Sequence, residues 1–216
     1  MTGEAEFVML QCENPNCRFR CPSNLTMKIL EKCPICASSV SAVTSSFSNL
    51  KVAKVRGRNK IPLIEVLLDN LRSTLNVGSI FRTADGAGAA CVHLCGTTPT
   101  PEHPKIAKTG LGAEWHIPWE YHRNGLDFVR SKQKGGFFLI SLEAAPSAQS
   151  VFSVSVDHLN GSCPLLLVVG NEVSGIDPEI LAASDVVCSI PMAGVKSSLN
   201  VAVAFGIAIY TIRELW

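Results

Sequence analysis

Apolar residues recur along this chain in two patterns, short continuous runs and longer segments with helical spacing. The runs predict β-strands at residues 63–68, 91–94, 137–142, 165–169 and 186–190. The intervening segments predict helices near 77–87, 125–132 and 178–183, and a long final helix near 198–215. Strands that alternate with helices in this way predict an α/β fold with a largely parallel sheet flanked by helices.

The longest apolar stretch runs from residue 199 to residue 212 and ends at Arg213 and Glu214. It is shorter than the roughly 20 residues that a membrane span requires, and Asn200 lies inside it. We therefore expect a buried helix and no membrane association.

The nine cysteines are not expected to form a disulfide framework, because the N-terminus lacks the basic and apolar segments of an export signal. That N-terminus predicts a cytoplasmic protein, in which cysteines remain thiols or bind metal. Four residues separate Cys12 from Cys17, two separate Cys33 from Cys36, and fifteen lie between the pairs. Two such pairs can close a structural tetrahedral Zn²⁺ site that stabilises a segment too small to bury a core, with unmetallated thiols as the alternative. Cys21 is expected to be a small buried residue.

The four remaining cysteines lie in or beside apolar runs and are expected in the core: Cys91, Cys95, Cys163 and Cys188. The histidines show no ligand spacing, and we assign none of them a catalytic role: His93, His103, His116, His122 and His158.

The net charge of +1 conceals an uneven distribution. Residues 1–60 carry nine Lys or Arg against four Glu, and five of these basic residues fall within 51–60. We predict a zinc ribbon at 1–45, a basic linker at 46–60 and an α/β domain at 61–216. A basic arm of this kind suits RNA phosphates, although a merely solvated linker would have the same charge.

Three polar segments interrupt the apolar pattern of the α/β domain. In the first, Asn76 and Gly78 open a predicted helix that Asn76 can cap, and Arg82 follows inside it. A helix start together with an Arg is suited to binding an anion. Gly86 and Gly88 do not make a dinucleotide fingerprint, because the helix precedes the strand here.

The second segment follows a buried strand and contains Gly170, Asn171, Glu172 and Gly175, where α/β sheets place their ligands. Gly170 is expected to let a ligand approach the backbone. The third segment precedes the final helix and contains Ile190, Pro191, Met192, Ser198, Leu199 and Asn200.

In this order the three segments closely resemble the SpoU/TrmH type of SPOUT RNA methyltransferase. The family signature is an N-x-G-x-x-x-R helix start, a strand ending in G-N/S-E-x-x-G, and I-P-M followed by S-L-N. Asn76, Gly78 and Arg82 match the first part, and the residues named above match the other two. The resemblance covers residues 61–216.

The resemblance implies a C-terminal trefoil knot, a homodimer, S-adenosylmethionine as cofactor, and methyl transfer to a ribose 2′-hydroxyl of tRNA or rRNA. It places the cofactor against Leu142, Glu143, Gly170, Asn171, Gly175, Ile190, Met192 and Leu199. The expected catalytic group is Arg82 with Asn76, Glu172, Ser198 and Asn200 around it. Because a guanidinium is a poor base at neutral pH, we expect Arg82 to hold a phosphate and stabilise the developing alkoxide.

Two other functions keep the same fold: a methyltransferase that modifies an RNA base, and an RNA-binding or assembly factor without turnover. Arg82 and the S-L-N motif favour the ribose as acceptor, and DNA is not expected as a partner. A metal-dependent hydrolase is remote, since no His or carboxylate cluster is evident outside the cysteine segment.

Overall fold

A computed structural model describes residues 6–27, 30–48, 63–155 and 163–214. The chain divides into two compact units, Met1–Gly57 and Arg58–Trp216. Most of the predicted basic linker, including all of residues 51–60, lies outside the described residues, so the predicted domain boundaries stay predictions.

The described part of the N-terminal unit is a small antiparallel sheet. Strand β1 (Glu6–Cys12) pairs with β2 (Arg20–Asn24), β3 (Val40–Ala42) and β4 (Phe47–Ser48). Val8, Leu10 and Cys12 alternate along β1 and are buried, because successive side chains of a strand point to opposite faces.

The described part of the second unit contains a seven-stranded parallel sheet in the order β7-β6-β5-β10-β8-β11-β9. The strands are β5 (Ile64–Asp69), β6 (Cys91–Cys95), β7 (Trp119–His122), β8 (Phe138–Leu142), β9 (Gln149–Ser150), β10 (Leu165–Gly170) and β11 (Val186–Ser189). The predicted α/β class is confirmed. The trefoil knot stays a prediction.

Helices cover both faces of this sheet, which is why its central strands are continuously apolar. The helices are α1 (Thr74–Ala87), α2 (Ala107–Gly110), α3 (Gly125–Lys134), α4 (Pro178–Ala183) and α5 (Val201–Glu214). On one face of the sheet, Phe81 of α1 and Phe205 of α5 are fully buried. On the other face, Val129 of α3 and Ile180 of α4 are fully buried. None of the described helices is long and apolar enough to cross a membrane.

The five predicted strands and four predicted helices all form, with ends that differ by up to three residues. Strands β7 and β9 and helix α2 were not predicted from the sequence. β7 is a short edge strand with the sequence WEYH and two exposed positions, so it lacks the apolar run that marked the central strands.

The four cysteines expected in the core of the second unit divide into two pairs. Cys95 and Cys188 are buried as predicted, whereas Cys91 and Cys163 are only half-buried. Cys91 begins its strand and Cys163 precedes one, so both lie near the border of the apolar core.

Candidate active site

The carboxyl ends of four parallel strands, β5, β8, β10 and β11, are neighbours in the sheet. In the paired registers, Gly170 at the end of β10 lies opposite Asp69 at the end of β5, and Leu142 at the end of β8 lies opposite Cys188 of β11. The segments that follow these strands are therefore neighbours, although they are far apart in sequence. Open α/β sheets bind their ligands at the carboxyl ends of the strands.

The carboxylate of Glu172 joins the segments that follow β5 and β10. Its Oε2 accepts a hydrogen bond from the Arg72 backbone N–H at 3.0 Å, and its Oε1 accepts from the Ser73 N–H at 3.1 Å and from Asn76 Nδ2 at 2.9 Å. Partial burial raises the pKa of Glu172, but the hydrogen bonds outweigh it and hold this pKa below its ordinary value. Glu172 is thus an ionised acceptor that fixes the start of α1.

Asn76 does not cap α1, contrary to the sequence prediction. The cap is Ser73, whose side chain accepts from the Asn76 N–H at 3.3 Å, because α1 begins at Thr74. The Asn76 side chain is therefore free to donate to Glu172 and to accept a hydrogen bond from Asn200 Nδ2 at 3.0 Å. The Asn200 Oδ1 in turn accepts a hydrogen bond from the Ala202 N–H at the start of α5, so Asn200 caps that helix.

A tight turn follows β10 and depends on Gly170 and Gly175. Asn171 and Gly175 exchange backbone hydrogen bonds of 3.1 and 3.0 Å, and Gly175 has a φ of 76°. A Cβ on Gly170 would lie 2.4 Å from the Ile176 nitrogen. The chain's own turn therefore excludes a side chain at Gly170, while the approach of a ligand to the same backbone stays a prediction.

Glu143 connects the segment after β8 to the same turn. Its Oε2 accepts a hydrogen bond from the Ile176 N–H at 2.9 Å, and its own N–H donates to the Cys188 carbonyl at 2.9 Å. Asn171 Nδ2 donates to the Asn70 carbonyl at 2.6 Å on the other side of the turn. The strand ends are thus joined by side-chain hydrogen bonds into one framework.

This framework borders a cavity of about 350 Å³. Its lining includes all eight residues that the sequence assigned to the cofactor: Leu142, Glu143, Gly170, Asn171, Gly175, Ile190, Met192 and Leu199. Three of the five predicted catalytic residues also line it: Glu172, Ser198 and Asn200. Asn76 lies behind the cavity, where it is hydrogen-bonded to two of these residues.

Arg82 does not line this cavity. It is exposed in the third turn of α1, and it borders a second cavity with Lys108, Thr109 and Tyr210. Among the described residues no hydrogen bond or ion pair holds its guanidinium. Arg82 and Lys108 together give this cavity a basic surface that is suited to binding an anion.

The four predicted zinc ligands come together in the N-terminal unit. The Sγ atoms of Cys12 and Cys36 are 3.4 Å apart, those of Cys17 and Cys33 are 3.7 Å apart, and all four lie within 4.8 Å of one another. A tetrahedral site with Zn–S bonds of about 2.3 Å has S–S edges of about 3.8 Å, so the donors fit Zn²⁺. Cys21 lies outside this group, in β2, and is half-buried.

Sequence spacing failed to reveal a second group of side chains that could ligate a metal ion, formed by His93, Glu120 and His122. His93 lies on β6 and the other two lie on β7, so strand pairing brings them together across 29 residues of sequence. Without β7 in the predicted sheet, no sequence signal could have joined them. His103 and His116 are exposed, and His158 lies outside the described residues.

The fold and the cavity define an α/β protein with a candidate ligand site at the carboxyl ends of parallel strands, and the same chain carries a four-cysteine cluster in its N-terminal unit. The sequence model of the SpoU rRNA Methylase family matches residues 63–210. This chain therefore belongs to that family, as the sequence motifs predicted.

Individual relatives agree with this assignment. The chain is 28% identical over 207 residues to the 23S rRNA (guanosine-2′-O-)-methyltransferase RlmB of Vibrio parahaemolyticus, with 85% of this chain and 81% of that protein covered. It is 31% identical over 168 residues to rRNA methyltransferase 1, mitochondrial, of Saccharomyces cerevisiae, with 69% and 40% covered. The AdoMet-bound rRNA methyltransferase from Sinorhizobium meliloti has a TM-score of 0.65 and 28% identity, with 78% and 62% covered. The chain spans only 40 to 62% of the length of several curated relatives that it matches.

Proposed function

We propose that this chain transfers a methyl group from S-adenosylmethionine to a ribose 2′-hydroxyl of ribosomal or transfer RNA. The observation that carries the proposal is the 350 Å³ cavity, around which the structure gathers Gly170, Ile190, Leu199 and the other residues of the family motifs. The Vibrio relative is named as a 23S rRNA guanosine 2′-O-methyltransferase, which supports ribose over base as the acceptor.

The cavity has the properties that an adenosine-containing cofactor requires. Its volume lies within the range of about 300–1,000 Å³ that is usual for small-molecule sites. Leu142, Ile190 and Leu199 offer apolar surface for a base, and the backbone around Gly170 and Asn171 offers hydrogen-bonding groups. When bound, S-adenosylmethionine supplies an activated methyl group attached to a sulfonium.

Arg82 and Lys108 would hold the RNA rather than the cofactor. Both border the second cavity, and neither lines the first. The guanidinium stays protonated at neutral pH, so its role in the proposal is to grip a phosphate and to stabilise negative charge on the attacking oxygen. Through their hydrogen bonds, Glu172 and Asn200 would hold the segments around the cofactor cavity in place. Ser198 would contact substrate.

A homodimer is part of the proposal. Val203 and Tyr210 are exposed positions of α5, and a second copy packed against this helix would shield them from water. Sedimentation of the full chain should give twice the monomer mass, and Val203→Glu should shift the equilibrium to monomer. A wild-type monomer at micromolar concentration would contradict this.

The N-terminal unit would hold a structural Zn²⁺ on Cys12, Cys17, Cys33 and Cys36. Four thiolates leave no open position on the metal, so the ion would stabilise the fold and take no part in catalysis. Closely spaced thiols also require a reducing compartment, which is why a cytoplasmic location belongs to the proposal.

The test is methylation of unmodified total RNA by the purified chain with S-adenosylmethionine, followed by digestion to nucleosides and mass spectrometry. We expect a 2′-O-methyl nucleoside whose yield falls by about 100-fold or more in Arg82→Ala, the scale seen when a charge-stabilising group is removed. Arg130→Ala is the matched control, because Arg130 is exposed on α3 and forms only a 3.7 Å ion pair with Glu179.

Other outcomes separate the competing functions. A methylated base in place of a methylated ribose would assign the chain to the base-modifying type. Failure to bind S-adenosylmethionine by calorimetry would favour an RNA-binding factor without turnover.

A further inference from the structure

Three side chains that can each ligate a metal ion converge at the edge of the parallel sheet, away from both cavities. His93 of β6 is paired in register with Glu120 of β7, and His122 lies two residues further along β7. Side chains two residues apart on a strand point to the same face, so the register itself brings the two imidazoles and the carboxylate together. Their ligand atoms lie within 4.8 Å of one another.

The three donor atoms form a compact isosceles triangle. His93 Nδ1 and His122 Nε2 are 3.0 Å apart, and Glu120 Oε2 is 3.6 Å from each of these nitrogens. A tetrahedral site with bonds of about 2.0–2.1 Å has edges of about 3.4 Å, close to these separations. An ion placed over this triangle would therefore reach all three atoms with little movement.

We propose that His93, Glu120 and His122 bind a divalent transition-metal ion, for which Zn²⁺ is the best match. Two imidazoles and one carboxylate suit Zn²⁺ and its neighbours in the transition series, whereas Mg²⁺ and Ca²⁺ prefer oxygen ligands only. The site is separate from the four-cysteine cluster, which belongs to the N-terminal unit.

A second carboxylate orients His93 for this role. Glu65 Oε2 lies 2.8 Å from His93 Nε2 and also forms an ion pair with Lys132. In this hydrogen bond His93 Nε2 carries the proton and the Glu65 carboxylate accepts, which leaves the Nδ1 lone pair directed at the triangle. A carboxylate behind a ligating histidine is the usual outer partner in zinc sites.

The surroundings hold the rings in place and still leave an entry path. The Phe128 ring of α3 lies 4.1 Å from the His122 ring and 4.4 Å from the His93 ring, measured between centroids. The His93 side chain is only 2% exposed, whereas that of Glu120 is 63% exposed. A metal ion can enter from the Glu120 side, where water can complete its coordination.

The alternative is a metal-free network in which His122 donates a hydrogen bond to His93. That bond would account for the 3.0 Å contact between the imidazoles. It gives no reason for the position of Glu120 Oε2, which is 3.6 Å from both nitrogens and so beyond hydrogen-bond distance of either. Equal distances to two nitrogens are the arrangement that a shared ion would produce.

The expected consequence is stabilisation of the edge of the sheet. Among the strands that the structure describes, β7 has a neighbour on one side only, and its four residues pair with β6. An ion held by one ligand from β6 and two from β7 would fasten the edge strand to the sheet.

The test is the zinc content and the Co²⁺ spectrum of the full chain. We expect two zinc ions per chain by mass spectrometry of the metals. After exchange for Co²⁺, one equivalent should show intense thiolate charge-transfer absorption, and the other should show only weaker visible bands. His122→Ala should reduce the zinc content to one ion and leave the thiolate band unchanged.

Glu120→Gln provides a variant that will fold, because Glu120 is exposed and the exchange keeps its shape. It should weaken the second site by about tenfold or more. The matched control is His116→Ala, since His116 is exposed and lies outside the group. A single ion per chain with an entirely thiolate spectrum would overturn the proposal, and so would a second ion that survives both His122→Ala and Glu120→Gln. The metal count does not depend on whether the chain methylates RNA.

Discussion

At the scale of single residues, Glu172 connects the segments of the candidate site by hydrogen bonds. Its one carboxylate accepts hydrogen bonds from the backbone of Arg72 and Ser73 and from the side chain of Asn76, which is bonded in turn to Asn200. Three chain segments that are distant in sequence thus share one chain of hydrogen bonds. Hydrogen bonds to an ionised acceptor are stronger than those between neutral groups.

Glu172→Gln should weaken this chain of hydrogen bonds. The amide has one acceptor oxygen, and its NH₂ group would face N–H donors. Because the site is partly exposed to water, we expect a loss of about 1 kcal/mol in the free energy of unfolding, measured by urea denaturation, together with weaker S-adenosylmethionine binding. The control is Glu179→Gln on α4, where the carboxylate is exposed, and a similar loss there would contradict the assignment.

The stability that Glu172 contributes should depend on pH. Partial burial raises the pKa of Glu172, the hydrogen bonds lower it by more, and the net pKa lies below its ordinary value. A depressed carboxyl pKa stabilises the fold fully above the ordinary pKa, and this contribution is lost as the pH falls through the folded value. The difference in unfolding free energy between wild type and Glu172→Gln should thus shrink from about pH 5 to pH 3. A difference that stays constant would contradict the role of the carboxylate.

At the scale of elements, the turn after β10 is shaped by backbone packing. The turn folds back so that the Ile176 nitrogen lies where a side chain at Gly170 would be. Glu143 then accepts the hydrogen bond from Ile176, and a Cβ on Gly175 would clash with the same carboxylate at 2.6 Å. Two glycines and one carboxylate therefore fix one wall of the cavity.

Gly170→Ala should be destabilising for this reason. The added methyl group would lie 2.4 Å from a backbone nitrogen, so the turn itself must move. We expect a loss of about 1–3 kcal/mol in the free energy of unfolding, the range for overpacked sites, and reduced cofactor binding. Gly194→Ala is the matched control, because a Cβ there meets nothing within 4 Å. Thermal unfolding of both variants provides the comparison, and equal melting temperatures would contradict the steric argument.

At the scale of the whole molecule, the chain combines two units that are stabilised differently. The described part of the second unit has a large apolar core on both faces of its sheet, whereas few apolar side chains are buried in the first. A unit so small requires another source of folding energy, and the four thiols provide ligands for one.

Cys36→Ser should therefore unfold the N-terminal unit and leave the second unit folded. Loss of one thiolate weakens the zinc site, so we expect one zinc ion fewer per chain and rapid proteolysis within residues 6–48. S-adenosylmethionine binding by the second unit should persist. Cys21→Ser is the control, since Cys21 lies outside the thiol group, and equal zinc loss in both variants would refute the assignment.

The basic tract at residues 51–60 should contribute affinity for RNA without sequence preference. Replacing its five Lys and Arg residues by Gln should weaken RNA binding and flatten its salt dependence, by about 0.7 in the logarithmic slope for each phosphate that is no longer neutralised. Filter binding at several salt concentrations measures this slope. Changing only Lys51, Lys54 and Lys60 to Arg preserves the charge and should leave the slope unchanged. An unchanged slope in the Gln variant would mean that the tract is a solvated linker.

The sequence by itself determined the fold class, the family and the composition of the candidate site. Apolar runs such as 165–169 are long enough to identify buried strands, and the motif residues are close together within each segment, so local pattern was sufficient. The spacing of Cys12, Cys17, Cys33 and Cys36 was equally local, because each pair lies on one turn.

Only the tertiary structure decided how these segments meet. Strand order brings Glu172 to Asn76 and His93 to His122, and strand order depends on packing between elements that no local pattern records. It also separated Arg82 from the cavity that Gly170 and Leu199 line, since the direction of a side chain on a helix depends on where the helix begins and what it packs against. Contacts between residues distant in sequence follow from the shape of the whole core, and therefore had to be observed.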